Sequence, residues 1–147
     1  MAIIIGYIQY YYQKKQYRLT ALFQVHQWIR DEEARTNRKS IYEAYKRYNI
    51  TKDETVFELP EYKKAKAEVQ ADLDIIGSMV ARELIPKEEF LELYWDIVFN
   101  IWKILKDSIL EQRKKTGLDS YMRFFEKLNE AADEYRQRQR YPEPVVY

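Results

Sequence analysis

Apolar residues return every three to four positions along most of the chain, the spacing of side chains that share one face of an α-helix. From Leu19 the series Leu19, Leu22, Phe23, Trp28 and Ile29 predicts a helix running into the acidic junction Asp31-Glu32-Glu33. A second helix follows, lined on one side by Ala34, Arg38, Ile41, Tyr45 and Tyr48, with acidic residues first and basic ones later, as the helix dipole favours. Asn49 to Leu59 is polar and reads as a linker, in which Thr51-Lys52-Asp53-Glu54 fits a capping box for a single turn. Pro60 stands where a helix tolerates proline best, its first turn, and Tyr62, Ala65, Val69, Leu73, Ile76, Val80 and Leu84 then keep helical rhythm until Pro86. Glu88 and Glu89 open a fourth helix whose apolar arc, from Phe90, Leu91, Tyr94 and Trp95 through Val98, Ile101, Trp102, Leu105 and Ile109, is wide enough to face two neighbours. Lys114, Lys115 and Gly117 supply the basic last turn and the stop. Tyr121, Phe124, Phe125, Leu128, Ala132 and Tyr135 carry a fifth helix. The pattern predicts an all-α fold, a single bundle of about five amphipathic helices with an extended first helix.

The opening residues break the amphipathic pattern by being apolar on nearly every side. Ile3, Ile4, Ile5, Tyr7, Ile8, Tyr11 and Tyr12 are followed at once by Lys14, Lys15 and Arg18. As a helix, the first twelve residues span roughly 18 Å at 1.5 Å per residue. A bilayer core about 30 Å thick takes about twenty apolar residues to cross. The stretch is therefore too short for a complete span, and its basic residues follow rather than precede it, unlike a secretory signal. Residues 1–18 are expected to form an anchor or contact segment, 19–140 the helical domain and 141–147 a flexible tail.

Composition excludes more than it identifies. With 147 residues, 46% of them hydrophobic and 16% aromatic, the chain can bury one core without staples. It has no cysteine, which removes disulfides, thiolate metal sites and cysteine nucleophiles. The formal net charge of +1 argues against strong non-specific nucleic-acid binding. That average hides a basic first third: residues 1–50 hold nine Lys/Arg against four Asp/Glu, and the rest sixteen against twenty.

From about Phe23 to Tyr135 the chain resembles a family of uncharacterised prokaryotic proteins, a domain of unknown function. The residues that carry the resemblance are Trp28, Asp31-Glu-Glu-Ala-Arg35 leading into Arg38-Lys-Ser-Ile-Tyr-Glu43, and the helix end from Ile75 through Ile85-Pro-Lys-Glu88. Trp102, Tyr121 and Phe125-Glu-Lys-Leu128 complete it. The resemblance implies one amino-terminal membrane helix followed by a short helical bundle, and no known reaction. The departure is at the start, where the apolar run looks truncated beside the family's membrane segment. Either the true start lies upstream or this member has lost a full span.

Candidate chemistry is sparse. His26 is the single histidine, too few for the paired Glu-x-x-His ligands of a bundle metal site, so neither metal nor cofactor is expected. Asp72 and Asp74 flank Leu73 and point apart on a helix, so they do not pair as acid and base. Asp96, Asn100, Lys103 and Asp107 form a row that reads as a solvated stripe. Arg136, Arg138 and Arg140 suit a helix carboxyl terminus, with a phosphate or RNA contact as the sharper alternative. Phe99 departs from the main apolar arc of its helix and is expected as an exposed partner contact.

These residues together point away from an enzyme with a small-molecule substrate. The expectation is a helical interaction module, held at the cytoplasmic face of a membrane or self-associating into a homo-oligomer, through Ile3 to Tyr12 with Lys14, Lys15 and Arg18 beside them. The alternatives are a structural subunit of a filament or virus particle, and a small helical regulator binding nucleic acid.

Overall fold

The computed structural model describes residues 2–145, and the side chains of 3–145. It contains five α-helices and, among the described residues, no strand: α1 (Ala2–Arg30), α2 (Glu32–Thr51), α3 (Pro60–Ala81), α4 (Lys87–Thr116) and α5 (Arg123–Gln139), with a 3₁₀ turn at Glu54–Glu58. The all-α bundle that the hydrophobic rhythm predicts is the observed architecture. Five of the seven residues expected on the inner face of α3 and eight of the nine on α4 are buried. The α5 face buries Phe125, Leu128, Ala132 and Tyr135, and Tyr121 falls in the turn before the helix.

Helix α5 packs between α3 and α4 and makes the largest contacts with both, while α2 lies against α3. Three α3 residues at helical spacing hold the start of α5. The Gln70 amide donates to the Tyr121 hydroxyl at 2.6 Å, and the Asp74 carboxylate accepts the Phe125 N–H at 2.9 Å. One turn on, Gly77 has no side chain, and a Cβ there would fall 2.2 Å from the Phe124 carbonyl oxygen. From the other side Arg113 donates to the Tyr121 carbonyl at 2.8 Å and pairs with Glu126 at 2.8 Å. Met122 at the helix start has no side-chain cap of its own, so Asp74 serves α5 as a cap supplied by another helix.

Several local expectations are corrected. The single turn in the linker is capped by Asp53, whose carboxylate accepts the Thr55 N–H at 2.9 Å. Thr51 belongs to the last turn of α2, and its hydroxyl donates back to the Arg47 carbonyl. Helix α3 stops at Ala81, well before Pro86. There Glu83 takes the left-handed conformation (φ 57°), its N–H bonds to Val80 and the Leu84 N–H bonds to Met79, the pairing of a Schellman motif. The reversal turns Leu84 outward and buries Ile85 in its place. Phe99 is half-buried, with the Arg136 guanidinium 5.3 Å from its ring centre.

The α1–α2 junction is a break of one residue. Asp31 is extended (ψ 146°) and its carboxylate accepts the Glu33 N–H, while Arg38 donates to the Ile29 carbonyl at 2.7 Å and so satisfies an end group of α1.

Candidate membrane or partner contact site

Helix α1 is 29 residues long, roughly 43 Å at 1.5 Å per residue, but only its second half meets the bundle. Val25 and Ile29 are buried, with Ala21, Leu22 and His26 half-buried on the same side. A ring nitrogen of His26 hydrogen-bonds the Tyr94 hydroxyl of α4. Burial pushes the Tyr94 phenol above its ordinary range, so it stays a neutral partner. The other members of the series expected to line this helix, Leu19, Phe23 and Trp28, are exposed, because they lie around the cylinder from Val25 and Ile29.

Ahead of Arg18 the helix projects as a stem with every described side chain exposed. Ile3 is 88% exposed and Tyr7 70%, and Ile4, Ile5, Ile8, Tyr11 and Tyr12 are likewise open. Lys14 and Lys15 are exposed next to them, and Arg18 marks the join, half-buried with a 3.5 Å bond to the Ile85 carbonyl. The structure thus places all ten residues expected to make the contact on one continuous element. Tyr10 and Tyr17 belong to it as well, both largely exposed, and the unbroken helical register through them is the signal that would have included them. An apolar side chain left in water forfeits about 1.5–3 kcal/mol relative to burial. A run of four isoleucines and five tyrosines therefore presents an unusually large unspent surface. Among the described residues, no helix is long and apolar enough to cross a membrane.

The stem is not uniform around its circumference. Gln9, Gln13, Gln16, Thr20, Gln24 and Gln27 recur at three- and four-residue steps, along with Gly6, in an uncharged stripe on the side away from Val25 and Ile29.

Beyond the stem, an open groove of about 880 Å³ runs beside α4, lined by Glu88, Glu89, Glu92 and Asp96 with Trp95 and Tyr135. The segment after α5 borders it. Tyr141 stacks on Trp95 at 5.6 Å and Glu143 pairs with Lys103 at 3.4 Å, so this stretch, expected to be flexible, lies against α4 through described residues. Its last two residues, 146 and 147, are outside the described residues.

The arginines at the end of α5 have partners within the chain. Arg136 bonds Asp133 at 2.7 Å and the Tyr141 carbonyl at 3.2 Å, and Arg138 grips Glu88 through both carboxylate oxygens. Asp72 stands on the opposite side of α3 from Asp74, near Arg38, and burial, then Glu68, raises its pKa. Asn100, placed by sequence in a solvated stripe, is half-buried with its carbonyl oxygen covered and unpartnered, whereas Asp96, Lys103 and Asp107 are exposed. Among the described residues no three His, Cys, Asp or Glu side chains come close enough to hold a metal ion.

Comparison of the chain with protein-family models, with curated proteins and with solved structures finds no match in any of the three.

Proposed function

We propose that this chain is a non-enzymatic helical module that docks on the cytoplasmic face of a membrane through the stem of α1. The observation that carries the reading is the exposure of Ile3, Ile4, Ile5 and Ile8 on a helix that leaves the bundle. The order of side chains suits entry tip first: isoleucines deepest, Tyr10, Tyr11 and Tyr12 at headgroup depth, then Lys14, Lys15 and Arg18 beside the anionic surface. Residues 3–12 cover roughly 15 Å, about one leaflet of a core about 30 Å thick. An apolar surface on most sides favours insertion along the helix axis over lying flat, which calls for a strongly one-sided helix.

Co-sedimentation with vesicles of phosphatidylcholine and phosphatidylglycerol tests it on the full chain. The double substitution Ile4→Asp and Ile8→Asp removes two exposed apolar contacts and leaves the bundle untouched. At 1.5 kcal/mol or more per side chain, binding should weaken by about a hundredfold. Recovery of the unsubstituted chain entirely in the supernatant would sink the proposal.

The uncharged stripe of Gly6, Gln9, Gln13, Gln16, Thr20, Gln24 and Gln27 favours a second reading, self-association of α1 with another copy. Small residues and amide side chains allow helices to approach and exchange hydrogen bonds. Light scattering that rises with concentration in the absence of lipid, and falls when Gln9 and Gln13 become lysine, would select it.

A further inference from the structure

The stem does not leave the bundle cleanly. A crotch of about 460 Å³ opens where it parts from the turn between α3 and α4. Tyr7, Tyr11, Lys14, Lys15 and Arg18 line one wall, and Pro86 with Glu89 the other. Three cations against one carboxylate leave the crotch with a net of two positive charges. The acidic groove begins on the far side of Glu89 and repels anions, which confines a negative group to the stem side.

Two further features make the crotch hungry for an acceptor. The Arg18 guanidinium holds only the long bond to the Ile85 carbonyl, and its Nε is covered by protein with no partner. A buried donor without an acceptor is disfavoured, and a small rotation of the guanidinium would hand it to a group seated in the cavity. Arg18 also lines a second cavity of about 330 Å³, together with Glu83, Lys87 and Lys127. Meanwhile α4 begins at the wall with Pro86 as its cap residue, which offers no side-chain acceptor to the first-turn N–H groups.

We infer that the crotch between the α1 stem and the start of α4 is a binding site for a phosphate ester, held by the Arg18 fork with Lys14 and Lys15. Guanidinium geometry matches two phosphate oxygens at once, and lysines add charge without demanding a fixed direction. The inference rests on the membrane reading in one respect: the site lies where the apolar stem ends, so a lipid headgroup is the phosphate ester that docking would bring there.

Titration of the full chain with sn-glycerol 3-phosphate, followed by the NMR signal of the backbone amide at position 18, separates the site from the membrane. The expected result is a saturable shift of that signal, weakened about tenfold in Arg18→Lys, which retains the charge and loses the fork. Lys14→Gln with Lys15→Gln, both exposed positions, serves as the second variant and should weaken the shift similarly. No shift at saturating glycerol phosphate, or identical titrations of Arg18→Lys and the parent, would overturn the site. The Ile4→Asp, Ile8→Asp chain should still bind glycerol phosphate while losing vesicles of phosphatidylcholine and phosphatidylglycerol. Vesicle binding without a glycerol phosphate response leaves membrane docking standing and refutes the pocket. The reverse pattern supports the pocket as a site for a soluble phosphate ester and refutes docking.

Discussion

The carboxylate of Asp74 accepts an N–H from Phe125, a residue 51 positions later, and in doing so replaces the cap that Met122 cannot provide. Such a bond stabilises by about 1–2 kcal/mol when the cap is lost to alanine. Asp74→Ala should therefore lower stability by about that amount in urea denaturation, with little change in slope, since the surface exposed on unfolding is unchanged. Three residues on, a Cβ at Gly77 would collide with the backbone of Phe124, which cannot swing aside as a flexible side chain would. Gly77→Ala is expected to destabilise by about 1–3 kcal/mol despite the better helix propensity of alanine. Neither role was legible in the sequence. Asp74 read as one of two acidic residues pointing apart, which is how they stand, but its partner is brought to it only by the packing of α5 on α3.

Among the elements, the apolar faces of α3, α4 and α5 were legible because a buried face must repeat with the helix turn. Helix ends were less so. Gly117 stops α4 where its backbone freedom suggests, with φ 69° and its N–H bonded to Arg113. The end of α3 carries no such mark, since Glu83 occupies the left-handed position that glycine usually fills. What holds it there is the burial of Ile85 and the paired bonds to Val80 and Met79. Relief of that backbone strain predicts that Glu83→Gly raises stability by about 0.5–1 kcal/mol, read as a higher melting temperature, after allowing for the greater freedom of glycine in the unfolded chain. The exposed run on α1 was legible for a different reason: its apolar side chains outnumber what one helix face can hide.

For the molecule as a whole, stability is unevenly distributed. The core cluster joins the second half of α1 to α2, α3, α4 and α5, while residues 3–17 contribute no side chain to it. An isolated helix of that length is marginal in water. Local opening there should cost far less than global unfolding. Brief trypsin treatment of the full chain should accordingly cut after Lys14 and Lys15 before any site within α3 or α4. Vesicles containing phosphatidylglycerol should slow that cut, which mass spectrometry of the early products would reveal.

Because α1 runs without interruption from the stem to Arg30, and Val25 and Ile29 are locked into the core, no swivel lies between tip and body. A domain tethered by a loose linker samples every heading above its support. Here, gripping the tip would fix both the height at which the bundle stands and the way the acidic trough along α4 is turned, as a mast fixes a signboard.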